Sequence, residues 1–365
     1  MTDTLTSAEL VEASRRVLET ELPLPTGLET QPLIGRWNSV RPHLEALGWF
    51  DLITDPAQGG LGLPASHASR LIRLAGSYLT PGPLVEQVLT VPLLLNSPIV
   101  RTKALGDLRG SIVVTVDACH DLAGLGSGPA IELDGGRLRG SLRCVLGAPD
   151  AEVFLVHASS QTGPERLLVL PSSHPGVQVQ QLRSVDPCQS VGDVAFDCQI
   201  SDEQMLDSDN EALAANLRAW NRFGAAEYLA GITERVLTFA VDYAREREQF
   251  GRKIGSFQAV QHMLADIAVA TRSLVNLMDL SSTEMSDVDD AERVMISVTA
   301  KARAGAQSVS ACETVLQVLG GIGYTVEHSL NHFFKRALSL AAQQGSPADL
   351  HLLAGRLLLA RSENC

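Results

Sequence analysis

Apolar positions divide the chain into three stretches with different periods. Up to about residue 110 they recur at helical spacing. Ser7 can cap a helix running through Leu18, with Glu9 and Glu12 near its positive end. Leu33, Trp37, Val40, Leu44 and Leu47 form one apolar face that stops at Gly48. The glycine-rich loop Gln58–Pro64 follows, then a helix over about 66–78 and a break at Thr80–Pro83. From 111 the period shortens. Seven short runs (SIVVTVD, AIEL, RLRGSLR, VFLVH, RLLVL, GVQVQ and DVAFD) alternate or are rich in β-branched residues, with Asp134-Gly135-Gly136 as a hairpin turn. From about 211 long helical periods return, over roughly 211–247, 256–283, 287–318, 325–342 and 347–360. The pattern predicts an α+β chain. An N-terminal helical domain (1–110) precedes a middle antiparallel β-barrel or sandwich domain (111–205) and a C-terminal bundle of long helices (206–365).

The 365 residues are 45% hydrophobic and 19% charged, enough to build a large core and too apolar for a disordered chain. A formal charge of −13 argues against nucleic-acid binding, which needs clustered Lys and Arg. No apolar run reaches the roughly 18–20 residues of a membrane span, and the N-terminus lacks the basic-then-apolar order of a secretory signal. The six cysteines (Cys119, Cys144, Cys188, Cys198, Cys312, Cys365) are scattered with no C-x-x-C pair, which fits reduced thiols, a cytoplasmic location and no metal site.

Two segments carry candidate chemistry. In YAREREQFGRKIGSFQAVQHMLADIA (243–268) a helix ends in a dense Arg/Glu cluster and turns through Gly251. There the Arg247 fork and the Gln249 amide are suited to a phosphate, beside the flat faces of Phe250 and Phe257. On spacing alone, a salt-bridged helix end with both Phe rings in the core explains the segment better. In QVLGGIGYTVEH (317–328), Gly320, Gly321 and Gly323 allow close backbone approach to a phosphate or ribose, although a helix C-cap and tight turn explain them more simply. His328 and His332 have metal-ligand spacing but no third partner, and they read as surface histidines. The Gly124–Gly128 run lies between strands without a helix or Lys to complete a phosphate loop. Cys144, on a strand among apolar residues, reads as a packed thiol.

Taken together, the two C-terminal segments resemble the two signatures of the acyl-CoA dehydrogenase family. ALGWFDLITDPAQGGLGLP and LTPGPLVEQ resemble that family's N-terminal domain, so the resemblance spans most of the chain. It implies the same α–β–α order, FAD as cofactor, an acyl-CoA substrate and electron-transferring flavoprotein as electron acceptor. The implied reaction is α,β-desaturation of the thioester, in which a carboxylate takes the α-proton while a hydride passes to the flavin. By position, Arg247, Gln249 and Phe250 would contact the pyrophosphate side of an FAD held mainly by a neighbouring subunit. Phe257 and Gln258 would help hold it, and Gln317, Gly320 and Gly321 would line its ADP half.

The departures from the family pattern cluster where its flavin ring would lie. The usual base position, before a Gly that follows the glycine turn and its helix, holds Gln344. The alternative position, in a Glu-Arg pair on the first long C-terminal helix, holds Asn221 beside Arg222. Neither amide can accept the proton, so no catalytic residue is assigned, and Arg222 is the one candidate substrate contact. Glu227 shares that helix but is expected to face elsewhere. The family's Ser-Glu-Pro loop becomes VDACHDLAGLGSG, and its Trp-Ile-Thr strand becomes CVLGA (144–148). The chain therefore resembles a non-catalytic subunit of the actinobacterial α2β2 acyl-CoA dehydrogenases of steroid side-chain degradation, completing the FAD site of a homologous catalytic partner. An autonomous homo-oligomeric enzyme with a relocated base, and a non-redox binding or scaffold subunit, are the alternatives.

Overall fold

In the computed structural model, residues 7–24, 36–97, 108, 110–117, 131–160, 165–206 and 211–363 are described. Leu33, Cys119, Cys365 and the Gly124–Gly128 run lie outside them. The first helices are α1 (Ser7–Glu21), α2 (Arg36–Ala46) and α3 (Ala65–Gly76). The periodic residues of α2, Trp37, Val40 and Leu44, are all buried, as the apolar face requires. After the Thr80–Pro83 break the chain makes a π-helical turn, Glu86–Thr90, that runs directly into α4 (Val91–Leu95).

The middle region is a sandwich of two four-stranded sheets, and no closed barrel forms among the described residues. Its strands are β1 (Val113–Asp117), β2 (Glu132–Asp134), β3 (Arg137–Leu146), β4 (Val153–Ala158), β5 (Arg166–Pro171), β6 (Val177–Leu182), β7 (Val191–Gln199) and β8 (Met205–Leu206). One sheet runs β1-β4-β5-β8 and the other β2-β3-β7-β6. The expectation of purely antiparallel pairing needs correction, because β1 and β4 pair in parallel, with Val113 opposite Val153. Such a pair needs a crossover, here supplied by the β2–β3 hairpin of the opposite sheet. All six residues of β4 are buried, because both faces of its sheet are covered. The inner face meets the second sheet, where Phe154 and Phe196 stack edge to face at 6.1 Å. The outer face meets α4 and the start of the next helix through Leu155, Leu167, Leu94 and Leu217.

Five helices complete the chain: α5 (Glu211–Glu246), α6 (Gln258–Glu284), α7 (Asp290–Leu319), α8 (Leu330–Ala342) and α9 (Pro347–Glu363). A tiny hairpin, β9 (Glu248–Gln249) with β10 (Arg252–Lys253), separates α5 from α6. At about 1.5 Å per residue α5 spans roughly 54 Å, long enough to touch every layer. Its side chains join one apolar core with the N-terminal helices and the bundle. It crosses α3 at very short range: a Cβ on Gly231 would lie 1.8 Å from the Arg73 carbonyl oxygen. Beside that crossing Arg73 binds Glu227 at 2.8 Å and Asp279 at 2.6 Å. Glu227 thus faces the N-terminal helices, as its place on α5 suggested. A second buried pair, Arg336 with Asp186, ties α8 to the β region, and Arg336 also donates to the Tyr228 hydroxyl at 2.8 Å. No helix among the described residues is long and apolar enough to cross a membrane.

Several side chains differ from their expected surroundings. Phe250 is 92% exposed rather than packed in the core. His332 is buried, on the inward face of α8, whose polar appearance in sequence was misleading. Cys144 is exposed, with φ +57° at a bulge in β3. That bulge turns its side chain out of the alternation the sequence suggested. Cys188, Cys198 and Cys312 are buried free thiols.

Candidate functional site

Two separate groups of residues carry the candidate chemistry. The first is on the outside. Arg247 follows the last residue of α5, and Gln249 and Phe250 lie on the β9–β10 hairpin, all exposed. Phe250 takes φ +53° at the hairpin tip and meets Phe257 edge to face at 6.1 Å. The Arg252 guanidinium covers the Phe257 ring at 4.0 Å. Gln258 opens α6, exposed, and Gln317 is exposed in the last turn of α7. Gly320 ends that helix with φ +62°, and a Cβ at Gly320 or Gly321 would meet nothing within 4 Å. Exposed side chains and unobstructed glycine backbone of this kind fit the phosphate and ribose part of a dinucleotide approaching from outside the chain, with the Gln249 amide at present donating to the Glu248 carbonyl at 2.7 Å. None of them lines the cavity of the second group.

The second group surrounds a cavity of about 520 Å³ between the sandwich, α5 and the turn after α8. Its walls include Leu142, Cys144, Val145 and Leu146 of β3, Thr115 and Asp117 of β1, and Asn221 and Gln344. The two amides touch: Gln344 Nε2 donates to Asn221 Oδ1 at 2.7 Å, while Gln344 Oε1 is enclosed without a donor. Asn221 Nδ2 in turn lies 3.3 Å from Thr115 Oγ1.

Glu86, at the start of the π-helical turn, lines the same cavity. Burial pushes its carboxyl above the ordinary range, against hydrogen bonds from its own backbone, the Thr115 backbone and the Asn221 amide. Sequence reasoning missed this residue. The only signal was a lone acid in an otherwise apolar stretch, PLVEQVL.

Arg222 lies behind the wall rather than in the cavity. It is buried, and its guanidinium donates to the Gln344 carbonyl at 3.4 Å and to Ser297 Oγ at 3.3 Å. Its neighbour Lys301, also buried, binds the carbonyls of Ala341 and Gln343 at 3.3 and 3.0 Å. Burial first, and the charge of Arg222 second, push the Lys301 amine down to about 7. Burial likewise lowers Arg222 to about 10. Two basic side chains thus hold the 341–344 turn from beneath, and Gln344 takes φ +55° there.

Also lining the cavity, Arg218 binds Asp117 at 2.6 Å, makes a close contact with Glu165 and lies 3.3 Å from His157 Nδ1. Burial raises Glu165, but hydrogen bonding to His157 and the Arg218 charge outweigh it and hold the carboxyl low. Asp117, His157 and Glu165 offer donors within 4.8 Å of one another. The guanidinium already occupies that cluster, so a metal ion would have to displace a cation.

Residues 212–352 match the acyl-CoA dehydrogenase C-terminal domain. Among curated relatives, acyl-CoA dehydrogenase FadE34 of Mycobacterium tuberculosis is 26% identical, over 82% of this chain and 39% of its own length. Benzylmalonyl-CoA dehydrogenase of Aromatoleum aromaticum is 28% identical, over 80% of this chain and 82% of its own. Among solved structures, the ChsE4-ChsE5 complex of Mycobacterium tuberculosis aligns with a TM-score of 0.81 at 23% identity, covering 98% of this chain and 99% of the other. The FAD complex of PigA aligns at 0.81 and 18% identity, covering 99% and 100%.

Proposed function

Because the chain belongs to the acyl-CoA dehydrogenase family, we propose that it is one subunit of an FAD-dependent acyl-CoA dehydrogenase that completes the FAD site of a homologous catalytic partner. The observation that carries this reading is the outward group: Arg247, Gln249, Phe250, Gln258, Gln317 and Gly321 are exposed, and a Cβ at Gly321 would meet nothing within 4 Å. Arg247 would pair with a pyrophosphate charge, Gln249 and Gln258 would hydrogen-bond to it, and the bare backbone at Gly320 and Gly321 would admit the ADP half. Phe250 and Phe257 would cover the cofactor from water.

When bound, FAD supplies the hydride acceptor of the desaturation. Both positions that carry the family's base hold amides here, so the α-proton that accompanies that hydride goes to the partner's carboxylate. Apolar side chains left exposed on the bundle, among them Val269, Leu280, Leu358 and Leu359, favour an assembly over an isolated chain. The substrate is an acyl-CoA, that of a steroid side chain in the assemblies the chain resembles. Electrons leave to electron-transferring flavoprotein, and the assembly is a cytoplasmic heterotetramer. Co-expression with a homologous catalytic subunit, followed by counting FAD per subunit, tests the reading.

A further inference from the structure

The cavity of this chain is not without a carboxyl, because Glu86, from a different part of the chain, lines it beside the Asn221 and Gln344 amides. Glu86 arrives from the N-terminal region on a π-helical turn. Such turns are rare, and often mark functional positions because the extra residue re-aims the side chains around it. The carboxyl lies one hydrogen bond from Asn221, which is one hydrogen bond from Gln344, so it borders both vacated positions at once. It opens on a cavity of about 520 Å³, in the size range of small-ligand pockets. Behind the Gln344 turn, Arg222 and Lys301 are buried, and their side chains hydrogen-bond to carbonyls and a hydroxyl rather than to a carboxylate among the described residues. Negative charge forming in the cavity would be attracted to them.

We propose that Glu86 is the proton acceptor of this chain's own cavity, exchanging the α-proton of an acyl-CoA thioester with solvent without oxidising it. In that step the Glu86 carboxylate forms an O–H bond as the α C–H bond breaks. The freed electron pair spreads into the thioester carbonyl as an enolate, and return of a proton restores the thioester. No oxidant takes part, consistent with a site whose ring-facing positions have departed from the family. The inference rests on the family reading only for the class of ligand, an acyl thioester.

The test is deuterium wash-in from D2O into 3-thiahexanoyl-CoA, whose α-protons are acidified by the adjacent sulfur, using the full chain prepared without FAD and followed by proton NMR. The unaltered chain should accelerate exchange over buffer, and E86Q should lose about 100-fold of that acceleration. The double variant E86Q/Q344E, which returns a carboxylate to the neighbouring position, should recover a measurable part, which a folding defect would not allow. Exchange no faster than in buffer, E86Q within about threefold of the unaltered chain, or no recovery in a folded double variant would overturn the proposal. FAD loading of the co-expressed assembly is measured separately, so either idea can fail while the other stands.

Discussion

Gln344 Nε2 donates to Asn221 Oδ1 at 2.7 Å, so two amides 123 residues apart in sequence are in direct contact. Gln344 satisfies the Asn221 oxygen while its own Oε1 is left without a donor, and neither amide can take a proton. A carboxylate at either position would face a neighbour already committed to hydrogen bonding, with Glu86 one step further along. The chain of contacts from Gln344 through Asn221 to Glu86 keeps this wall of the cavity polar.

The outward group makes the first prediction. Arg247→Ala should weaken FAD retention by the co-expressed assembly roughly 10- to 100-fold, the size expected for one hydrogen bond to a charged group. Flavin absorbance after extensive dialysis measures it. Because Arg247 is exposed, the melting temperature of this chain alone should not move.

The crossing of α3 and α5 makes the second. A Cβ at Gly231 would sit 1.8 Å from the Arg73 carbonyl oxygen, and one at Gly76 would sit 2.1 Å from that of Tyr228. Both obstacles are backbone, so the helices must separate. Gly231→Ala should destabilise the chain by at least about 1–3 kcal/mol, read from urea denaturation, and should disturb the nearby contacts of Arg73 with Glu227 and Asp279. Unchanged stability would mean that the helices do not pack this closely.

Lys301 makes the third, through pH. Its amine falls from 10.5 to about 7 in the folded chain because of burial. Between those values the unfolded chain binds a proton that the folded chain does not. Stability should therefore rise with pH from about 7 towards 10.5, by at most about 1.4 kcal/mol per pH unit. Below about pH 7 the cost of burying the charged amine is carried in full. The stability of the unaltered chain relative to Lys301→Met should accordingly increase between pH 7 and 9.5, in paired denaturation curves. A constant difference would mean that the amine stays charged in its carbonyl cage.

How much of this was legible in the sequence depended on whether the information was local. The helices from α5 to α9 follow from the 3.6-residue period, and the seven main strands from alternation and turn residues. The parallel pairing of β1 with β4 was not legible, because partner choice between distant strands leaves no local trace. Phe250 looked like a core residue because its type is apolar, yet the hairpin tip carries it out to 92% exposure. His332 looked like a surface residue because the helix face it shares with His328 reads as polar, yet it is turned inward with Phe333. Glu86 was invisible for another reason. Its meaning comes from Asn221, 135 residues away, and from a π-helical turn that no spacing rule flags.

The measurement that bears most directly on the central claim is FAD per subunit, by absorbance, together with acyl-CoA-dependent dye reduction, made on this chain alone and on the complex it forms with a homologous catalytic subunit. The chain alone should carry far less than one FAD and reduce no dye, while the complex should be yellow and active. Stoichiometric FAD on the isolated chain, with dye reduced by acyl-CoA, would contradict the account.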